Sequence, residues 1–151
     1  MNGDPHGAAA AGPDAPGAGD VPALLVTHAD LSAALLRAAE QVYGPIAGVE
    51  WLYNEGLSRE SLERAIEDRV AGWTHGGIVF CDFWGGSCHV CGVSAARQRA
   101  AGHGHGEIVV ITGINLPLLI DYLHNRERLT LEELVERLQK KGQDSIRVQR
   151  A

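Results

Sequence analysis

Long apolar runs are missing from this chain. Nowhere in its 151 residues is there anything close to the roughly 20 consecutive apolar residues of a spanning helix. The start, Met1-Asn2-Gly3-Asp4, has neither the positive flank nor the apolar stretch of a signal peptide, so a cytoplasmic protein is expected. Positive charge is scarce as well: 13 Lys and Arg stand against 19 Asp and Glu, a formal net charge of −6. Such a chain offers no broad basic surface, which excludes nucleic acid and anionic membranes as expected partners. Any phosphate chemistry must come from a local site. Cysteine is also rare; three residues make no disulfide framework, and an odd count suits a reducing compartment.

What is abundant is unevenly placed. Residues 1–20 are nearly all Gly, Ala, Pro and Asp, with no aliphatic side chain larger than alanine after Met1. A segment of that kind cannot bury enough surface to offset its ordering entropy and is expected to be a disordered tail, leaving one domain over residues 21–151. Within it, Ala23–Thr27, Gly77–Cys81 and Ile108–Thr112 are short apolar runs without polar alternation, as in strands covered on both faces. Val49, Trp51 and Tyr53 alternate with other residues and predict an edge strand; Ile146 and Val148 predict a short last one. Helical periods lie between, on Leu31, Ala34, Leu35, Ala38 and Val42 and on Leu62, Ala65, Ile66 and Val70. In the final helix Thr130 and Glu133 make a capping box, Leu129 can staple onto Leu134, and Gly142 reads as the stop. Alternation of this kind predicts an α/β fold: an open, mostly parallel four-stranded sheet of flavodoxin-like order, with helices on both faces. Ligands of such sheets sit beyond the carboxyl ends of the strands, where the strand order reverses.

Three strands end in polar or glycine-rich residues. The first ends in Thr27-His28, the third in Asp82 followed by Phe83-Trp84-Gly85-Gly86-Ser87, the fourth in Thr112-Gly113-Ile114-Asn115. With the first and third strands adjacent, His28 and Asp82 meet. A carboxylate that accepts one imidazole N–H fixes the tautomer and frees the other nitrogen as a nucleophile. Gly85, Gly86 and Ser87 permit a tight turn whose N–H groups, with the positive end of the next helix, make an anion cradle. Histidine, carboxylate and cradle together describe phosphoryl transfer through phosphohistidine.

The segments LLVTHADLSAALLRAAEQVYG, GIVFCDFWGGS and ITGINLPLLID, in this order, resemble the IIA component of the mannose family of the bacterial phosphoenolpyruvate-dependent sugar phosphotransferase system. The resemblance runs from Val21 to the end and is most specific at Thr27-His28, Asp82-x-Trp84-Gly85-Gly86-Ser87 and Gly113-x-Asn115-x-Pro117. It implies that His28 accepts a phosphoryl group from phospho-HPr and passes it to a IIB component during sugar uptake. Asp82 would hold the ring, Thr27, Gly85, Gly86 and Ser87 would bind the phosphoryl group, and no metal or nucleotide cofactor would be needed. It further implies a homodimer that exchanges an antiparallel strand, here Ser145–Gln149, and an approach to the membrane components IIC and IID only through IIB. Two positions depart from the family pattern: Cys88 stands where proline usually follows Gly-Gly-Ser, and Asp30 lies close after His28, where it is expected to cap the next helix.

Several residues admit other readings. Trp84 either walls the pocket or packs in a dimer contact, and Asn115 and Pro117 either touch substrate or simply start a helix. Cys81, Cys88, His89 and Cys91 lie close together in sequence, and His103 and His105 form a second pair. One helix from 88 to 99 would separate the two groups by on the order of 18 Å, which argues against a shared metal. A low-pKa redox thiol at Cys88 or Cys91, at a helix start, has no support from the resemblance. A serine hydrolase is excluded because Gly85-Gly86-Ser87-Cys88-His89 lacks the second glycine of a nucleophile elbow. The rival functions are a regulatory phosphotransferase-system protein without its own permease, signalling by phosphorylation state, and the phosphotransfer subunit of dihydroxyacetone kinase.

Overall fold

A computed structural model describes residues 19–102 and 104–151. Four five-residue strands alternate with helices: β1 (Ala23–Thr27), α1 (Leu31–Tyr43), β2 (Val49–Tyr53), α2 (Arg59–Val70), β3 (Gly77–Cys81), α3 (Ser87–Ala100), β4 (Ile108–Thr112), α4 (Leu116–Asn125) and α5 (Leu131–Asp144). All pairings are parallel and the spatial order is β2-β1-β3-β4, so the order reverses between β1 and β3.

The strand period of two divides the core. Leu25, Ile78 and Phe80 face one side and pack against α1, α4 and α5 through Leu36, Leu119, Tyr122 and Leu134. Leu24, Val26, Val79 and Cys81 face the other, against Leu62 and Ile66 of α2 and Cys91 and Ala95 of α3. Every residue of β1 and β3 is buried. Each large apolar side chain among them contributes about 1.5–3 kcal/mol by leaving water, which makes the two central strands the firmest part of the molecule. Val26 lies opposite Cys81, and His28 and Asp82 therefore leave the sheet side by side.

Three local expectations change. The buried stripe of α1 is Ser32, Leu36 and Ala39, whereas Val42 is 67% exposed; this side of the helix is set by the sheet it meets, and its alanines left the face undetermined. Gly142 does not stop α5. The helix runs on to Asp144, and at Gly142 an added Cβ would lie 3.0 Å from Leu118 Cδ1, so the glycine serves the close approach of α4 and α5. The antiparallel strand expected over 145–149 is absent from the single chain: Ile146 and Val148 are exposed, and the segment pairs with neither sheet edge. The tail expected over 1–20 falls almost wholly outside the described residues, but Asp20 at its end pairs with Arg126 at 3.3 Å. The capping box of α5 is present, and Leu129 and Leu134 share one cluster.

Candidate functional site

His28 and Asp82 meet at the reversal point. Asp82 Oδ2 accepts the backbone N–H of His28 at 2.9 Å and lies 2.7 Å from its ring Nδ1. Burial pushes the Asp82 carboxyl up, but the backbone and ring donors of His28 outweigh burial and hold it below its ordinary value. The ionised carboxylate thus selects the tautomer with hydrogen on Nδ1, leaving the lone pair on Nε2. The histidine side chain is 37% exposed and the carboxylate 11%, so the nucleophile is reachable and its partner is shielded. Phe83, whose N–H donates to Asp82 Oδ1, stacks on the imidazole with 5.0 Å between centroids. Nε2 faces Ser87 Oγ at 3.4 Å, and that oxygen accepts from Asn54 Nδ2 at 3.2 Å.

The turn after Asp82 is built for close approach. Gly85 has φ +85°, a conformation that other residues rarely hold, and a Cβ on Gly86 would lie 2.7 Å from the Phe83 ring and 3.2 Å from His28 Cε1. Gly86 is the N-cap of α3, and no side chain caps this helix. Its first-turn amides and positive dipole end therefore open beside Ser87 and the histidine, the setting in which backbone amides bind an anion. Gly85 is a partial correction: its N–H donates to His89 Nδ1 at 3.0 Å, so this amide is already engaged. The His89 ring also packs against Trp84, which is 79% exposed and walls the turn from outside.

Two candidate residues serve the scaffold. Thr27 is fully buried; its Oγ1 accepts the Ser32 N–H at 2.8 Å and contacts Ser32 Oγ at 2.6 Å, so it holds the start of α1 and its hydroxyl is turned from the histidine. Asp30, at the N-cap position of α1, makes no side-chain cap because Thr27 already takes that role. Asn115 caps α4 by accepting the Leu118 N–H at 2.9 Å and donates to Ser145 Oγ, the helix-start role among its two readings.

The sequence grouping of thiols and imidazoles disperses in three dimensions. Cys91 Sγ donates to the Arg59 carbonyl, Cys81 is core, and His105 lies beyond the far end of α3; His103 is outside the described residues. Burial pushes the Cys88 thiol up to about 11 and raises Cys91 as well, the opposite of the lowering that a helix start can give a cysteine. Cys88 instead sits against the histidine, its Sγ 3.7 Å from Nδ1. Sequence reasoning gave no role to Phe83 or Asn54, weighed His89 only with the metal-ligand grouping, and missed Arg59, which walls a cavity of about 230 Å³ opening at Gly85 and Ser87. Asn54 carried one signal: it directly follows β2, so it stands at the same sheet edge.

Residues 23–139 match the family described as PTS system fructose IIA component, EIIA-man. No curated protein sequence matches the chain. Among solved structures it is similar to the phosphotransferase system component EIIA from Streptococcus agalactiae, with TM-score 0.77 and 18% identity over 85% of this chain and 96% of that one. The mannose/sorbose specific IIA subunit from Enterococcus faecalis gives 0.71 and 18% over 87% and 96%. A sigma-54 interaction domain protein from Enterococcus faecalis gives 0.68 and 14% over 85% and 94%.

Proposed function

We propose, from the premise that this chain belongs to the EIIA-man family of the sugar phosphotransferase system, that it is a phosphocarrier which takes a phosphoryl group from phospho-HPr onto His28 and passes it to a IIB component. The family is one of phosphotransferases that work with HPr and IIB. The observation that carries the finer reading is the orientation of one ring: Nδ1 against Asp82 at 2.7 Å, Nε2 turned toward Ser87 and the uncapped start of α3.

In this reading the Nε2 lone pair attacks phosphorus as the bond to the donor's histidine nitrogen breaks, and the proton on Nδ1 stays there. The adduct gains positive charge on the imidazole, which the Asp82 carboxylate stabilises. Ser87 Oγ and the first-turn amides of α3 neutralise the phosphoryl oxygens. Asn54 positions Ser87, and the Phe83 ring stops the imidazole from rotating. Gly86 keeps the space above the ring free for in-line approach. The exposed Phe83 and Trp84 rings offer partners an apolar footing around the nitrogen. Among the described residues no helix is long and apolar enough to cross a membrane, in keeping with a cytoplasmic carrier that meets IIC and IID only through IIB. The exposed Ile146 and Val148 suit the exchanged strand of a homodimer.

The experiment is incubation with phospho-HPr labelled on phosphorus. Acid-labile label is expected on the native chain and none on His28→Ala; label undiminished in the variant overturns the assignment. A regulatory role is the second reading, favoured by the similarity to the sigma-54 interaction domain protein. Onward transfer to a IIB protein supports transport, while a phosphorylated chain that no IIB discharges supports regulation.

A further inference from the structure

Three donor atoms of different chemistry converge behind the reactive ring. His28 Nδ1, an Asp82 carboxylate oxygen and Cys88 Sγ all lie within 4.8 Å of one another, brought together by the ends of β1 and β3 and the start of α3. We propose that these three side chains bind one borderline-soft divalent cation, zinc in the first instance, and that the bound ion switches off His28 as a phosphoryl acceptor. Binding rests on the geometry alone; the switching rests on the phosphocarrier reading.

The distances suit a tetrahedral ion with one position left for water. With Zn–S about 2.3 Å and Zn–N or Zn–O about 2.0–2.2 Å, neighbouring ligands of zinc stand roughly 3.3–3.7 Å apart. The Sγ–Nδ1 separation of 3.7 Å already has that spacing. The Nδ1–Oδ2 contact of 2.7 Å opens by roughly 0.6–1 Å as the ion replaces the shared hydrogen. The Asp82 carboxylate keeps the His28 and Phe83 backbone N–H groups, which continue to orient it as the outer contacts of a metal site do. Thiolate, imidazole and carboxylate together favour zinc over magnesium or calcium, which take oxygen donors.

The switch follows from the tautomer. A neutral imidazole has one N–H and one lone pair. Coordination through Nδ1 uses the lone pair there and moves the ring hydrogen to Nε2, the atom that must attack phosphorus. The ring hydrogen is relocated and not lost; the Cys88 thiol gives up its proton to solvent, one proton for each ion bound. Conversely, a phosphoryl group on Nε2 leaves a hydrogen on Nδ1 beside Asp82, and that hydrogen must be lost before the ion can bind. Phosphoryl group and zinc therefore oppose one another.

The test titrates the full chain with zinc against a chromophoric chelator, in a background carrying His103→Ala and His105→Ala to remove the other histidine pair of the sequence. One equivalent of zinc is expected to bind, with affinity falling at least about 10-fold in Cys88→Ala. Long-range nitrogen correlation spectra should show the His28 hydrogen moving from Nδ1 to Nε2 as zinc is added. Binding of no zinc, or equal binding by Cys88→Ala, overturns the site. Phosphorylation by purified phospho-HPr is then compared with and without zinc in each chain. The native site should lose acceptance on zinc addition and recover with chelator, and Cys88→Ala should respond at least about 10-fold less sensitively. A chain that binds zinc through Cys88 but never accepts phosphoryl refutes the phosphocarrier reading and leaves the metal site standing. A chain that is phosphorylated equally with zinc bound refutes the switch.

Discussion

Two turns leave the same edge of the sheet, one from β3 into α3 and one from β4 into α4, and they differ in how the helix begins. Both carry a glycine in the left-handed region, Gly85 at φ +85° and Gly113 at φ +79°. Both helices start from an extended N-cap. At α4 the cap is Asn115, whose side chain satisfies the Leu118 N–H. At α3 it is Gly86, which has no side chain to offer. The α4 turn is closed and structural; the α3 turn is open to an anion and lies beside His28. A helix start becomes a site when its amides are left without an internal partner and a reactive group faces them.

The comparison is most severely tested at Asp82. Asp82→Asn keeps the shape but no longer holds the hydrogen on Nδ1, and the rate of phosphoryl acceptance from phospho-HPr should fall by about 100-fold or more. Giving α3 the cap of α4 comes next. Gly86→Asn supplies an oxygen to the first-turn amides and a Cβ against Phe83 and His28, so acceptance should fall about 10-fold or more while circular dichroism shows the helix retained. Removing the cap of α4 is the reciprocal change. Asn115→Ala should lower stability by about 1 kcal/mol in urea unfolding and leave the rate of acceptance unaltered. A rate that falls in parallel would place Asn115 in the pocket.

The smallest effect is on acid stability. Asp82 has a folded-state pKa below its unfolded one, so at low pH the unfolded chain binds more protons and stability rises with pH. Its contribution is complete above the ordinary carboxylate range, about pH 4, and is lost as pH falls through the lower folded value. Asp82→Asn should therefore flatten the acid limb of a stability profile recorded from about pH 6 to pH 2. An unchanged slope would mean that His28 does not favour the ionised carboxylate.

Much of this was legible before folding. The unbroken apolar runs of β1 and β3 marked covered strands, although the similar run of β4 lies at the sheet edge, and with β1 and β3 adjacent their ends bring His28 and Asp82 together. The capping box of α5 was equally plain, because Thr130 and Glu133 are three residues apart and answer each other locally. Thr27 and Asp30 were misread for a shared reason: either could cap α1, and only the path of the chain through Ala29, at φ +49°, decided that the Thr27 hydroxyl reaches the Ser32 N–H. Asn54 and Phe83 were missed because the side-chain contacts that bring them to the site are distant in sequence: Asn54 reaches Ser87 across 33 positions, and the Phe83 ring stacks on His28 at the end of another strand.

By itself, then, the sequence determined the layering, the strand ends and the residue types gathered at one edge, since these follow from hydrophobic period and from chain order. Which amides stay open, which ring nitrogen carries the hydrogen, and how close the Cys88 sulfur lies to it were settled by tertiary structure alone. Those properties depend on angles and contacts between segments far apart in the chain, and no local pattern of residues encodes them.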